Sequence, residues 1–153
     1  MKILFKLTLF FFLFTDISNA DLIKPSSNLK PFDVLMIQLN SLKNNNSPYK
    51  DAGIEQTWEF AHPINKASTG PLERFKQMIY SESYKILISH NNNKPTILKE
   101  TINKFVYKVY VLSKDKKKYY YIWQIEKVEK EGRFKDCWMT TRVSDPIYLG
   151  ETI

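Results

Sequence analysis

The sequence predicts an α+β domain in which several helices precede an antiparallel sheet. Three observations carry this reading. Apolar residues recur at spacings of three and four from Phe32 to Ile88. Beyond the cluster His90-Asn91-Asn92-Asn93-Lys94-Pro95 the spacing changes to two, the period of a strand with one buried face. No gap between the later strand-like runs is long enough for a crossover helix, which a parallel sheet would require.

Taken in order, Phe32, Leu35, Met36, Leu39 and Leu42 make one helical stripe. Pro31 suits its first turn, where a missing N–H costs nothing. The run Asn44-Asn45-Asn46-Ser47-Pro48 stops that helix, because these residues favour turns. Asn45-Asn46-Ser47 also matches a glycosylation sequon, with Pro48 directly after it. A second helix starts near Asp51 and carries Ile54, Trp58 and Ala61. Pro63 is expected to end it by restraining His62 away from helical angles. Asn65 to Thr69 then reads as a polar loop, and Gly70-Pro71 as the entrance to a third helix. Thr69 would cap that helix, and Glu73 would favour its positive end. A last short helix is expected over Ser83 to Ile88.

Strands are expected at Ile97–Lys99, Phe105–Leu112, Tyr119–Val128 and Phe134–Val143. The run Lys114, Lys116, Lys117 and Lys118 makes a turn, and Asp145-Pro146 ends the last strand. Phe105, Tyr107, Val109 and Val111 share one face. Tyr119, Tyr121, Trp123 and Ile125 share another, opposite Gln124 and Glu126.

The N-terminus carries a different signal. Lys2 and Lys6, the apolar run Leu4 to Phe14, and Ser18-Asn19-Ala20 form the pattern of a secretory signal peptide. The run is short for a membrane span. Residues 1–20 are therefore expected to be cleaved near Ala20, leaving a flexible leader over 21–31, one domain over 32–146 and a tail over 147–153. The chain is expected in the periplasm or outside the cell, with no stable transmembrane anchor. Without Lys2, Lys6 and Asp16 the net charge falls from +7 to +6. That charge would permit nucleic-acid binding, but export removes the partner; an anionic membrane surface is the alternative. Cys137 is the single cysteine, so no internal disulfide is possible. It reads as a small core hydrophobe.

The chemistry-bearing residues are few. His62, His90 and Cys137 lack metal-ligand spacing, and no phosphate-binding glycine loop, nucleophile elbow or paired-carboxylate motif occurs. No metal or cofactor is expected. His62 or Asp51, with Arg142 or Tyr107, are the candidates for dispersed acid–base work, set against a helix-terminal histidine bonded to backbone or water. Trp58, Phe75, Tyr107, Trp123 and Trp138 are candidates to line a cavity, set against their use as core. Pro63, Asn65, Thr69, Gly70, Pro71 and Arg74 form a helix-to-helix motif. It either serves structure alone or borders a pocket. Gln124 and Arg142 interrupt apolar surroundings and would need partners if they faced inward.

The run Asp51-Ala52-Gly53-Ile54, then Phe60-Ala61 with Pro63, Asn65 and Lys66, then Thr69-Gly70-Pro71-Leu72 with Arg74-Phe75 resembles an uncharacterised bacterial and plant family. That family is placed among the nuclear-transport-factor-two-like, cone-shaped α+β folds of the cystatin-like superfamily. Cys137-Trp138-Met139-Thr140 resembles its closing strand, and the likeness runs from about Phe32 to Val143. The resemblance implies a strongly curved sheet with helices across its concave side and a pocket between them. It brings no catalytic residue. The wider fold holds isomerases and dehydratases as well as non-catalytic modules, and fold alone does not choose among these. His62 stands where the family pattern has a small, Ser-like residue. The expectation is a non-catalytic exported domain that binds a small apolar or amphiphilic ligand, or a protein partner. The alternatives are a pocket enzyme with dispersed acid–base groups and a homodimeric structural module.

Overall fold

The computed structural model describes residues 21–151; the signal-peptide reading of residues 1–20 lies outside them. Four helices pack on one face of a five-stranded antiparallel sheet. Helix α1 (Pro31–Lys43) starts with Pro31 in its first turn, and the Asp33 carboxylate accepts the Lys30 N–H at 3.0 Å. Its inner stripe is Val34, Leu35, Gln38, Leu39 and Leu42, all buried. The four apolar members are wholly inaccessible, which contributes about 1.5–3 kcal/mol each relative to exposure.

The triple-asparagine turn then caps helix α2 (Ala52–Glu59) from outside. Buried Asn45 accepts the Ile54 N–H at 2.9 Å. Its amide donates to Asp51 and to the Tyr80 hydroxyl. The sequon asparagine is therefore consumed inside the fold. Asp51, at φ 66°, is the left-handed residue before α2, a conformation that aspartate tolerates better than most.

Pro63 does not end α2. That helix closes at Phe60, and Phe60 to His62 run alongside a strand, with the Thr140 N–H donating to Phe60 O and the His62 N–H to Thr140 O, both at 2.8 Å. Pro63 instead opens helix α3 (Pro63–Thr69), so the segment read as a polar loop is helical. His62 caps it: Nδ1 accepts the Ile64 N–H at 3.1 Å. Thr69 closes α3 and bonds back to Asn65 O at 2.8 Å rather than capping the next helix. Helix α4 (Leu72–Ile79) follows Gly70-Pro71 as expected and buries Phe75 and Ile79. The last short helix reduces to one 3₁₀ turn at Lys85–Leu87.

The sheet begins earlier than its residues suggest. Strand β1 (Asn92–Glu100) absorbs most of the asparagine–proline cluster that reads as a turn. Among the described residues it is an edge strand pairing only with β2 (Lys104–Leu112), so Pro95, opposite Val109, lacks an N–H where the ladder tolerates it. Strand β3 (Lys117–Lys127) is central. Tyr107, Val109, Val111, Tyr121, Trp123 and Ile125 face the helices, in the phase that the alternation predicts. Strand β4 (Trp138–Val143) is shorter than expected, because Phe134 and Cys137 belong to a turn and a small second core with Val128 and Met139. Cys137 is buried there, and burial raises its thiol pKa.

The tail is a strand in its own right. β5 (Ile147–Glu151) pairs with the first half of β3, on the flank where β4 pairs with the second half. Ser144 bridges the junction: its N–H donates to Ile122 O at 2.9 Å, and its hydroxyl accepts the Ile122 N–H at 2.8 Å. The leader is likewise tied down. Gln56 exchanges two hydrogen bonds with the Ile23 backbone at 2.7 and 2.8 Å, and Lys24 pairs with Glu59 at 3.1 Å.

Candidate functional site

A cavity of about 210 Å³ lies between the helices and the sheet. Its apolar walls come from α1 (Leu42), α4 (Phe75, Met78, Ile79), the 3₁₀ turn (Leu87) and β3 (Trp123). Its polar lining comes from Gln38, Thr57, Asn65, Thr140 and the exposed Arg142, among others. Arg142 brings the cavity to the surface.

The buried end is organised by one chain of hydrogen bonds whose directions chemistry dictates. An indole N–H can only donate, and Trp123 Nε1 donates to Thr140 Oγ1 at 3.0 Å. The Thr140 proton is therefore free to go onward, to Gln38 Oε1 at 2.6 Å. That orients the Gln38 amide so that Nε2 donates to the Thr57 carbonyl at 3.1 Å. Thr57 itself bonds to Gly53 O at 2.8 Å, and Asn65 donates to Thr140 O at 3.1 Å. Gln38 and Thr140 are 1% and 2% exposed, so each bond is made away from competing water, where leaving one unmade is costly.

The motif around Pro63 to Arg74 builds one wall. Asn65 and Thr69 line the cavity, and Gly70 lets the chain pass close to Trp58, since a Cβ there would stand 2.8 Å from the indole edge. Trp58 packs on Phe75, with ring centroids 5.0 Å apart, beneath the Lys66 ammonium. Arg74 is exposed on the outer side of α4.

Of the five aromatics expected to line a cavity, Phe75 and Trp123 do so. Trp58 supports Phe75 from behind. Tyr107 is core, in contact with Phe105 and Phe32, and Trp138 packs edge-on to Phe105 at 5.3 Å. The four acid–base candidates are not brought together. Asp51 is bound by Asn45 and the Tyr80 hydroxyl. His62 borders a separate groove beside the Lys104–Glu126 ion pair. Burial lowers its pKa, and Glu126 offsets part of that. Burial pushes Tyr107 up to about 12, so its hydroxyl stays protonated at neutral pH. Arg142 alone borders the cavity. Gln124 turns away from it and bonds to Glu126 and Thr141.

Among the described residues, the only other ionisable group in the lining is Tyr84. Its hydroxyl donates to Val143 O at 3.1 Å, and burial with nearby Asp145 raises its pKa. The rest of the lining consists of apolar side chains with hydroxyl and amide groups, which can hold a molecule by packing and hydrogen bonding. No described group of acidic, histidine or cysteine side chains could hold a metal ion. No described helix is long and apolar enough to cross a membrane.

Gln38 is the site residue that the sequence reading misses. Its signal is present: it occupies a core position, three residues after Leu35 and four before Leu42, on an otherwise apolar stripe. Comparison with protein-family models, with curated proteins and with solved structures finds no match.

Proposed function

We propose that this chain is an exported, non-catalytic binding domain of the nuclear-transport-factor-two-like type, which holds a small, largely apolar molecule between its helices and sheet. The observation that carries the reading is the cavity itself, apolar along its walls and hydrogen-bonding at its buried end. That combination is what small-molecule sites use for affinity and orientation. Its size supports a compact occupant. An engineered apolar cavity of about 150 Å³ takes benzene, so 210 Å³ suits a molecule of about eight to ten non-hydrogen atoms. Export is supported by the charged start, apolar run and small residues before Asp21. The family resemblance along residues 51–75 supports the fold type, in agreement with helices on one face of an antiparallel sheet.

The test is a thermal-shift screen of small aromatic and alicyclic molecules against the protein and a Met78→Trp variant that fills the cavity from α4. A ligand at a hundred times its Kd stabilises by about 2.7 kcal/mol, or a Tm rise of roughly 10 °C for a domain of this size. Such a rise is expected in the wild-type chain and not in a folded Met78→Trp. A screen that leaves the wild-type Tm unmoved removes the proposal.

A further inference from the structure

The polar end of the cavity narrows the chemistry of what it would hold; this inference rests on the reading that the cavity binds a ligand. A primary amide has two N–H donors. The directions of the network commit one of Gln38's to the Thr57 carbonyl, and no other described residue accepts the second. Gln38 lines the cavity and is 1% exposed. It is therefore a buried donor with half its capacity unused. Thr140 Oγ1, its neighbour in the lining, already donates to Gln38 and accepts from Trp123.

A complementary molecule presents an acceptor to Gln38 and apolar surface to Phe75, Ile79, Leu87 and Trp123. That acceptor should carry no full charge. Among the described residues the one cation in the lining is Arg142, which is exposed rather than buried beside Gln38, and a carboxylate driven to the buried end would lose its hydration without a counter-ion. The geometry points to a compact, uncharged, mostly apolar molecule with one terminal carbonyl oxygen, a small ketone, aldehyde or ester, seated with that oxygen on the Gln38 amide.

Three probes of nearly equal size separate the possibilities: acetophenone, ethylbenzene and benzoate, titrated into ¹⁵N-labelled protein expressed from the full-length sequence. Acetophenone is expected to bind about tenfold more tightly than ethylbenzene, because the spare donor is satisfied by one and stranded by the other. Benzoate is expected to be the weakest. The Gln38 side-chain amide resonances should move with acetophenone and stay nearly in place with ethylbenzene. In Gln38→Met, which keeps length and removes both donors, the preference for acetophenone over ethylbenzene should shrink to within about twofold.

Equal binding of ethylbenzene, stronger binding of benzoate, or a Gln38 amide unmoved by bound acetophenone would each overturn the carbonyl assignment and leave the cavity as a binding site. Failure of all three probes to bind would overturn the cavity reading with it. The wild-type titration and the amide shift decide the matter even where Gln38→Met does not fold.

Discussion

At the scale of single residues, buried polar groups do most of the specifying. Gln38, Asn45, Thr140 and His90 are each at most 2% exposed and each is bonded. His90 shows how such a group becomes a liability in acid. Its Nδ1 donates to Leu87 O at 2.7 Å, and Nε2 accepts from the Asn93 amide at 2.8 Å, an arrangement that requires a neutral ring. Burial lowers its pKa and Lys43 adds to this, with the Leu87 bond partly opposing. His62 is lowered as well, again chiefly by burial, and its Nδ1 is needed unprotonated to cap α3. Both rings therefore bind a proton more readily in the unfolded chain. Stability from them is fully present above the unfolded value of about 6.5 and is lost as pH falls below it through the lower folded values. Urea midpoints are expected to drop between pH 7 and pH 5. A His90→Gln variant should show a shallower drop, and an identical slope would assign the loss to other groups.

At the scale of elements, contact between α1 and α2 depends on a missing side chain. A Cβ on Gly53 would stand 2.0 Å from Ser41 O and 2.8 Å from the Asn45 Cα, both backbone atoms that cannot swing aside. The Gly53 N–H also donates to Asn45 O at 2.9 Å, which ties the helix start to the preceding turn. Gly53→Ala is expected to force the helices apart and cost about 2–3 kcal/mol by overpacking, despite the better helix propensity of alanine. Chemical denaturation measures this directly; an unchanged midpoint would mean the helices part at little cost. Elements also explain where the sequence reading slips. Pro63 reads equally as a helix stop or as a first-turn residue. The backbone bonds of Phe60 and His62 to Thr140, far away in sequence, select the second.

At the scale of the whole molecule, the long central strand organises both ends of the chain. β3 takes β4 on the second half of one flank and β5 on the first half. Deleting residues 147–153 is expected to uncover the backbone of Lys117–Tyr120 and to lose about 2 kcal/mol, the order of a few net backbone hydrogen bonds. Hydrogen exchange should quicken at the amides along that stretch that face β5, with the rest of the sheet protected. Unchanged protection there would mean that β5 adds nothing to the sheet. The cavity belongs to this scale too, since α1, α3, α4, β3 and β4 each supply part of its lining.

The sequence by itself determined the helices-then-strands order, the inward phase of β2 and β3, and the interior place of Cys137. These follow from local periodicity, which one face against a core imposes on any chain. Only the tertiary structure decided that Pro63 begins a helix, that the asparagine-rich cluster is an edge strand, that the tail completes the sheet, and that Gln38 rather than His62 stands at the cavity. Each of those outcomes rests on a partner distant in the chain: Thr140 for His62 and Gln38, β2 for the asparagines, β3 for the tail. Periodicity records which way a side chain faces. Hydrogen-bond partners are chosen by what the folded chain brings alongside.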